Sequence, residues 1–272
     1  PKSITGADIM LDTAPTYDGT AKNVTISAVK VDELTLTTDD YEITSGNSAT
    51  NVENTALIIT GKGNFTGEAT KAWSLTAKSV DASMIAEIPS ASYTGDQITP
   101  TPEVKDGEKE LTSGTDFTYS YSNNQYVGTA TVTINGKGNY QGTAEKSFEI
   151  TAVEDPAVIT TTANVTKGGN TLDINSLVTG AKGTVSFAIS GEANGCSISG
   201  GVLTSGDTTG SVTVTVTVAS KDENNDGIAE YTGKNGSITV TVTDKTTAVL
   251  AGGVTQQGCT FGDTLSDPTY TK

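Results

Sequence analysis

Hydrophobic and polar residues alternate with a period of two along most of the chain, in short runs bounded by Gly, Asn, Asp and Ser. In TATVTIN (129–135), Ala130, Val132 and Ile134 share one face and the threonines share the other. GSVTVTVTVAS (210–220) continues the alternation over a longer run. Successive side chains of a strand point to opposite faces, so this pattern predicts half-buried β-strands. Helical periodicity is hard to find, and we therefore predict an all-β fold.

An internal repeat covers more than half of the chain. APTYDGTAKNVTISAVKVDELTLTTDDYEI (14–43) corresponds to SASYTGDQITPTPEVKDGEKELTSGTDFTY (90–119), and residues 56–77 correspond to residues 130–151. The matched landmarks are Tyr17 with Tyr93, Tyr41 with Phe117, Phe65 with Tyr140, and Trp73 with Phe148. Self-similarity at a fixed spacing is typical of tandem modules.

The phrase GKGNFTG (61–67) returns as GKGNYQG (136–142) at the same place in each copy. Gly136 and Gly138 can take positive φ without penalty, and Asn139 tolerates it, so the phrase predicts a hairpin corner between the last two strands of a module. A phosphate-binding loop would need a strand before it, a helix after it and the full GxxxxGK[ST] spacing, none of which is present.

A third segment, at about 153–245, has different landmarks. Its strand-length runs are separated by turn residues, and they are TVSFAIS (184–190), CSISGGVLT (196–204), GSVTVTVTVAS (210–220) and GSITVTVTD (236–244). The alternation predicts two paired buried faces, one formed by Val212, Val214, Val216 and Val218 and the other by Ile238, Val240 and Val242. Short strands at this spacing are typical of small β-sandwiches.

Composition disfavours several functions. The formal net charge of −16 opposes binding to nucleic acid and to anionic membrane surfaces. The chain has no histidine, which removes the commonest general base and most imidazole-containing metal sites. No run approaches the roughly 20 apolar residues of a membrane span. We therefore predict that the protein is not an enzyme, binds no nucleic acid and inserts no part of this sequence into a membrane.

The two cysteines, Cys196 and Cys259, lie about 60 residues apart and in different segments of the chain. Neither has a histidine or a second cysteine nearby, so nothing indicates a reactive nucleophile or a metal site. We predict two small buried thiols rather than a disulfide.

Residues 90–151 resemble the tandem Ig-like repeats of surface proteins from Gram-positive bacteria of the gut and mouth and their relatives. The motifs that carry the resemblance are a Y-x-G start, an L-x-x-G-x-D-[YF] middle and a G-K-G-N-[YF]-x-G end. Residues 5–77 are similar to a diverged copy, which departs from the pattern at NSATNVENTA (47–56). Segment 153–245 is more loosely similar to bacterial Ig-like or cadherin-like modules. The resemblance implies cell-surface attachment, stalk or adhesion roles, and it carries over no catalytic residues.

The repeats and the resemblance together predict tandem Ig-like β-sandwich modules in an elongated arrangement. The predicted modules are repeat 1 at 1–78, repeat 2 at 79–152, a bacterial Ig-like or cadherin-like module at 153–245, and the start of a further, truncated module at 246–272. Because the chain opens on PKSITGADIM, without a Met or an apolar signal segment, we expect a fragment excised from a longer protein.

KDENNDGIAEY (221–231) carries the sharpest candidate motif. Asp222, Asn224 and Asp226 occupy positions 1, 3 and 5 of D-x-[DN]-x-[DN]-G, and Glu230 occupies position 9. Such hard oxygen donors suit calcium, although position 12, where a bidentate Glu is expected, holds glycine. The alternative is a long hairpin loop whose Asn, Asp and Gly simply suit a turn. The only cofactor that we consider is therefore a structural calcium ion.

Tyr119, Tyr121 and Tyr126 in TYSYSNNQY lie close together, with Asn123 and Asn124 between them. A sugar packs its C–H face on an aromatic ring while amides supply hydrogen bonds, so these five residues are a candidate ligand-binding surface. Tyr119 and Tyr121 share one face of a strand, and the alternative is ordinary packing on the sheet.

We therefore predict a non-enzymatic, monomeric fragment of an extracellular bacterial cell-surface protein that acts as stalk or adhesion repeats. The alternatives are a module that binds a host glycan or matrix protein, and the accessory region of a secreted carbohydrate-active enzyme. Isopeptide crosslinks between Lys and Asn or Asp are known in stalks of this general kind. Lys71 and Lys146 are candidates for one, although nothing in the sequence selects a partner.

Overall fold

The computed structural model describes residues 1–245. The chain divides into two compact units, of which the first is Pro1–Ile150 and the second begins at Thr151. Strands dominate both units, and the helical elements of the described residues are single turns of 3₁₀ helix at Ala82–Met84 and Asn175–Leu177. No helix in this part of the chain is long and apolar enough to cross a membrane. The all-β prediction is confirmed.

The first unit contains strands β1 to β18. In chain order they are β1 Lys2–Ser3, β2 Asp8–Leu11, β3 Lys22–Asn23, β4 Ile26–Val31, β5 Leu34–Leu36, β6 Tyr41–Ser45, β7 Ser48–Ala49, β8 Thr55–Gly61, β9 Phe65–Thr66, β10 Glu68–Trp73, β11 Lys78–Ser79, β12 Ala91–Ser92, β13 Lys105–Asp106, β14 Lys109–Glu110, β15 Phe117–Ser122, β16 Gly128–Gly136, β17 Tyr140–Gln141 and β18 Thr143–Thr151.

Repeat 1 contains two three-stranded antiparallel sheets, in the orders β2-β4-β5 and β10-β8-β6. Alternate residues of both sheets enter one buried cluster, which includes Ile9, Val29, Leu57 and Ile59. Two sheets that share one apolar core form a β-sandwich.

Repeat 2 is built around a four-stranded sheet in the order β12-β18-β16-β15. Ala130, Val132 and Ile134 of β16 are fully buried. Phe148 and Ile150 of β18 are at most 3% exposed. These residues lie on one face because β16 and β18 pair in register, with Ala130 opposite Phe148. The inward face expected from the alternation of TATVTIN is confirmed.

Within residues 1–150, the ladders pair β1 to β10 among themselves and β11 to β18 among themselves. The module bounds 1–78, 79–152 and 153–245 remain predictions. The truncated module at 246–272 lies outside the described residues.

The second unit contains the strands β19 to β29. They are β19 Val153–Glu154, β20 Val158–Ile159, β21 Thr162–Thr166, β22 Thr171–Asp173, β23 Val178–Thr179, β24 Val185–Ser190, β25 Ser197–Ser199, β26 Val202–Thr204, β27 Gly210–Val218, β28 Tyr231–Thr232 and β29 Lys234–Thr243.

The second unit has two main sheets, in the orders β21-β29-β27-β24 and β22-β26-β25. In the first sheet, β24, β27 and β29 correspond to strands C, F and G of an Ig-like sandwich, and β21 is an additional edge strand. In the second sheet, β22, β26 and β25 correspond to strands B, E and D. Strand β21 runs parallel to β29, while the other pairs are antiparallel. The fold is therefore that of tandem Ig-like β-sandwiches.

The centre of the second unit is the long hairpin of β27 and β29. Val212 pairs with Val240 and Val214 with Ile238, and all four side chains are fully buried. The two valine- and isoleucine-rich faces expected from the sequence are confirmed. The loop between these strands, 219–233, contains the acidic motif.

Candidate functional site

Each of the three sandwiches begins with a short strand that pairs in parallel with the loop before its last long strand. The pairs are β1 with β9, β11 with β17, and β19 with β28. The same backbone hydrogen bond opens each pair, donated by Lys2 to the carbonyl of Asn64 at 2.8 Å, by Lys78 to that of Asn139 at 3.0 Å, and by Val153 to that of Glu230 at 3.0 Å. We call this arrangement the entry corner. Glu230 therefore takes the place that an asparagine takes in the two repeats.

The GKGN phrase forms the entry corner of both repeats and joins the last two long strands, as the sequence predicts. Gly138 has φ +65°, a left-handed conformation that favours glycine. Gly136 does not use this conformational freedom. It is needed for a different reason, since a Cβ there would lie 2.6 Å from the backbone nitrogen of Gln141.

The acidic loop of the second unit begins with a tight turn around Asp222. The backbone N–H of Asn225 donates to Asp222 Oδ1 at 2.6 Å, and that of Gly227 donates to Oδ2 at 2.8 Å. The hydrogen bond from Gly227 is the main cause that lowers the pKa of Asp222, so the group stays ionised. Asn225 and Gly227 both have positive φ. The loop is thus a hairpin connection, and it also holds Asp222 as a fixed carboxylate.

The loop brings three acidic residues of the motif together. Carboxylate oxygens of Asp222, Asp226 and Glu230 all lie within 4.8 Å of one another. Asn224 lies beside them, because its Nδ2 donates to Asp226 Oδ2 at 2.9 Å. Glu230 is fully buried, while Asp226 is exposed. All four residues singled out in the sequence therefore converge.

A second buried acid, Asp155, lies at the start of the second unit. Its oxygens accept hydrogen bonds from the backbone N–H groups of Ala157, Lys182 and Gly183, at 2.8 to 2.9 Å. Burial raises the pKa of Asp155, but the hydrogen bonds outweigh burial and the net shift is downward. Asp155 also donates its own N–H to the carbonyl of Thr232 in the entry corner. The sequence analysis did not single out this residue.

The candidate tyrosine surface lies on β15, at the edge of its sheet. The rings of Tyr119 and Tyr121 stack with centroids 6.2 Å apart. Their hydroxyls donate to the carbonyls of Pro102 and Pro100, at 2.6 and 2.9 Å. Burial raises the pKa of both hydroxyls. Tyr126 is 37% exposed.

The two asparagines of the same segment have different environments. Asn124 is buried, and its Nδ2 donates to the carbonyl of Ile98 at 3.0 Å. Asn123 is exposed and has φ +54°. The amide of Asn124 and both tyrosine hydroxyls therefore form hydrogen bonds inside the module. Tyr126, Asn123 and parts of the two stacked rings remain at the surface.

The two repeats of the first unit meet around one lysine. Lys109 Nζ donates to the Tyr17 hydroxyl at 2.8 Å and lies 5.3 Å from the ring centroids of both Tyr17 and Tyr140. These two rings contact edge to face, with centroids 5.5 Å apart. Both tyrosines are at most 4% exposed. A cation between two aromatic rings is favourable, since ring faces carry negative charge.

Further polar contacts lie in the same region. Together with Lys109, Tyr17 and Tyr140 they form what we call the repeat joint. Asn139 of the GKGN phrase accepts from the N–H of Val52 at 2.7 Å and donates to the side chain of Asn51 at 3.0 Å. Asp106 pairs with Lys78 at 2.6 Å and lies 3.2 Å from the Tyr140 hydroxyl. The sequence patterns did not predict the joint. The available signal was that Tyr17 and Tyr140 both belong to landmark pairs of the repeat, Tyr17 with Tyr93 and Tyr140 with Phe65.

The structure also shows the surroundings of two other residues considered in the sequence, Cys196 and Lys146. Cys196 is buried and free, and its Sγ accepts a hydrogen bond from Gly206 N at 3.4 Å, as expected for a structural thiol. Cys259 lies outside the described residues. Lys146, a candidate for an isopeptide bond, forms an ion pair with the exposed Glu87.

Comparison with known proteins yields no matching family model and no match among curated proteins. Among solved structures, the chain is similar to extracellular cadherin domains 1–5 of protocadherin Gamma B2, with 15% identity, a TM-score of 0.25, and coverage of 71% of this chain and 45% of that one. It is similar to immunoglobulin domains 1–4 of Sidekick-1, with 12% identity, a TM-score of 0.23, and coverage of 89% and 73%.

A third similar structure is an endo-fucoidan hydrolase of glycoside hydrolase family 107, with 11% identity and a TM-score of 0.22. The alignment covers 85% of this chain and 42% of the hydrolase. The chain thus spans less than half the length of the hydrolase and of the protocadherin structure. At these TM-scores the likenesses carry no functional argument, so function is argued from the residues.

Proposed function

We propose that the chain is a non-enzymatic, monomeric part of an extracellular protein of the bacterial cell surface, where its sandwiches act as stalk repeats that sustain tension. One observation carries this proposal. The edge strand β21 pairs in parallel with β29, the last strand of the described residues, over five residue positions from Thr162 opposite Thr239 to Thr166 opposite Thr243.

Parallel pairing matters because tension on a tethered module pulls strands near its two ends in opposite directions. When those strands lie side by side and parallel, the pull shears all their hydrogen bonds at once instead of opening them one by one. Repeat 1 has a related contact, a parallel bridge between Thr16 and Thr76. The repeat joint further supports the proposal, because a buried aromatic contact holds the two repeats of the first unit together.

Single-molecule stretching of the intact chain tests this function. We expect Ala163→Pro in β21 to lower the unfolding force of the second unit. Thr239 donates to the carbonyl of Thr161 and Lys167 donates to that of Thr243, so alternate residues of β21, Ala163 among them, direct their N–H at β29, and proline removes it. Ala163→Ser at the same position keeps the N–H and should leave the force unchanged. Equal unfolding forces for the proline variant and the unmodified chain would contradict the proposal.

Adhesion to a host glycan or matrix protein is a second candidate, favoured by the stacked Tyr119 and Tyr121 rings and by the exposure of Tyr126 in the same segment. Aromatic faces of this kind suit the C–H face of a sugar. An array of glycans, mucins and matrix proteins tests it. Saturable binding that is lost in Tyr126→Ala but kept in Thr118→Ala, an exposed position of the same strand, would support adhesion through this surface. Absence of binding by the folded chain would reject it.

A further inference from the structure

Glu230 is a buried carboxylate whose hydrogen bonding is incomplete. Its side chain is fully buried, and Oε2 accepts one hydrogen bond from the backbone N–H of Glu223 at 2.7 Å. Oε1 is buried without any hydrogen-bond partner, and it is the one buried side-chain atom of this kind in residues 1–245. A buried charged oxygen without a partner is costly, so native proteins pair such groups or place a metal ion beside them.

Asp155, in the same unit, shows how this fold satisfies a buried carboxylate by itself. Both of its oxygens are paired, through three backbone N–H donors. Glu230 is equally buried but has a single donor. The difference indicates that Glu230 is built for a partner that the polypeptide does not supply.

The surroundings of Glu230 indicate the charge of that partner. Carboxylate oxygens of Asp222 and Asp226 lie within 4.8 Å of a Glu230 oxygen and of each other. None of the ion pairs in the described part of the chain involves these three acids. Three carboxylates at this separation repel one another unless a cation lies between them.

We propose that the acidic loop is a calcium-binding site, with Asp222, Asp226 and Glu230 as carboxylate ligands and Asn224 as a further oxygen donor. The donor set contains only hard oxygen atoms, which favours calcium or magnesium over zinc and copper. Calcium is preferred because it accepts irregular coordination geometry, whereas magnesium demands a near-ideal octahedron. The absence of glutamate at position 12 is offset by Glu230, which enters the site from position 9.

Calcium would fix the entry corner of the second unit. Glu230 directly precedes Tyr231–Thr232, the strand that pairs with Val153–Glu154 at the start of the unit. A cation bound by Glu230, Asp222 and Asp226 therefore stabilises, in the second unit, the same corner that the GKGN phrase forms in the two repeats. This inference does not depend on the proposed stalk or adhesion function.

Calorimetric titration of the calcium-depleted intact chain with CaCl₂ tests the site. We expect saturable binding of one ion, with a dissociation constant on the order of 10⁻⁴ to 10⁻³ M, as in extracellular calcium modules. Glu230→Gln should weaken binding by at least about tenfold. Glu192→Gln removes the same charge at an exposed position beyond Ser190, which pairs with Thr213 at the end of β27 away from the acidic loop, and it should change the dissociation constant by less than about twofold.

A second variant protects the test against misfolding. Asp226 is exposed, so Asp226→Asn should fold and still lose most of the calcium affinity. In the unmodified chain, calcium should also raise the thermal midpoint of the second unit and slow hydrogen exchange at residues 221–233. Failure of the folded chain to bind calcium at 10 mM (about ten times the weakest expected constant), unchanged binding in both variants, or equal affinity for magnesium would each overturn the proposal.

Discussion

The entry corner of repeat 2 and that of the second unit have the same backbone pairing and opposite chemistry. In repeat 2 the corner is short, neutral at Asn139, and closed by a glycine that leaves no room for a side chain. In the second unit the corner is longer and carries three converging carboxylates, one of them the buried Glu230. The comparison shows that one strand pairing can be stabilised either by close backbone packing or by polar groups.

The two corners also differ at the residue that follows the short entering strand, β11 in repeat 2 and β19 in the second unit. Val80 donates its N–H to Gln141 in repeat 2, and Asp155 donates its N–H to Thr232 at the matching position in the second unit. Both side chains are buried, but one is apolar and the other is a carboxylate held by three N–H groups. An apolar anchor needs only volume, whereas a buried carboxylate needs donors at fixed positions.

The largest effect is expected at the polar anchor. Asp155→Ala leaves three backbone N–H groups without their acceptor, and it should lower the free energy of unfolding of the second unit by roughly 3 kcal/mol. The exposed Asp173 also accepts from a backbone N–H, that of Asn175 at 3.0 Å, and Asp173→Ala should cost less than about 1 kcal/mol. Urea unfolding followed by hydrogen exchange in peptides of the second unit measures both. Equal losses would mean that burial of Asp155 is irrelevant.

The next effect tests the close packing of the GKGN corner. Gly136→Ala should destabilise the first unit by about 2–3 kcal/mol, because its Cβ would overlap the backbone of Gln141, which cannot move aside cheaply. Gly142→Ala is the control, since Gly142 has φ +76° but open space around it, and we expect a loss of about 1–2 kcal/mol. Trp73 fluorescence during urea unfolding reports on both variants. A larger loss for Gly142 would show that backbone strain, not steric overlap, dominates.

A smaller effect is expected at the repeat joint. Lys109→Met keeps most of the apolar stem but removes the cation from between Tyr17 and Tyr140, and it should cost about 1 kcal/mol. Lys105→Met removes an ion pair with Glu103 in which both side chains are about half exposed, and it should cost less than about 0.5 kcal/mol. Thermal unfolding compares them. If the two variants lose the same stability, the Lys109 cation beside the Tyr17 and Tyr140 rings contributes nothing beyond an ordinary surface charge.

The smallest effect is a pH dependence of the first unit. Burial raises the pKa of Tyr140 to about 12, above its ordinary value of 10.0. The hydrogen bond to Tyr17 likewise raises the pKa of Lys109. In both groups the folded state binds protons more tightly than the unfolded state, so this stability is complete below about pH 10 and is lost as pH rises toward about 12. Tyr140→Phe should flatten the fall in unfolding free energy over this window, and an unchanged slope would contradict the assignment.

Much of the fold could be predicted from the sequence because strand periodicity is local. The alternation in 129–135 and 210–220 correctly placed the buried faces of β16 and β27, and GKGN correctly marked a hairpin corner. The role of Gly136 could not be predicted, since its close contact is with Gln141 across the corner rather than with a neighbour in sequence. The repeat joint was missed for the same reason, because Tyr17 and Lys109 are far apart along the chain.

The candidate calcium site likewise has one part that the sequence predicts and another that only the tertiary structure determines. The spacing of Asp222, Asn224 and Asp226 already specified which oxygen donors lie on one turn, since that depends on a few consecutive dihedral angles. Only the tertiary structure decided that Glu230 is buried with an unpaired oxygen and that it stands where Asn139 stands in repeat 2. The unpaired oxygen of Glu230 and the pairing of β19 with β28, which are distant in sequence, are properties of the assembled sandwich, because they depend on residues that no local pattern brings together.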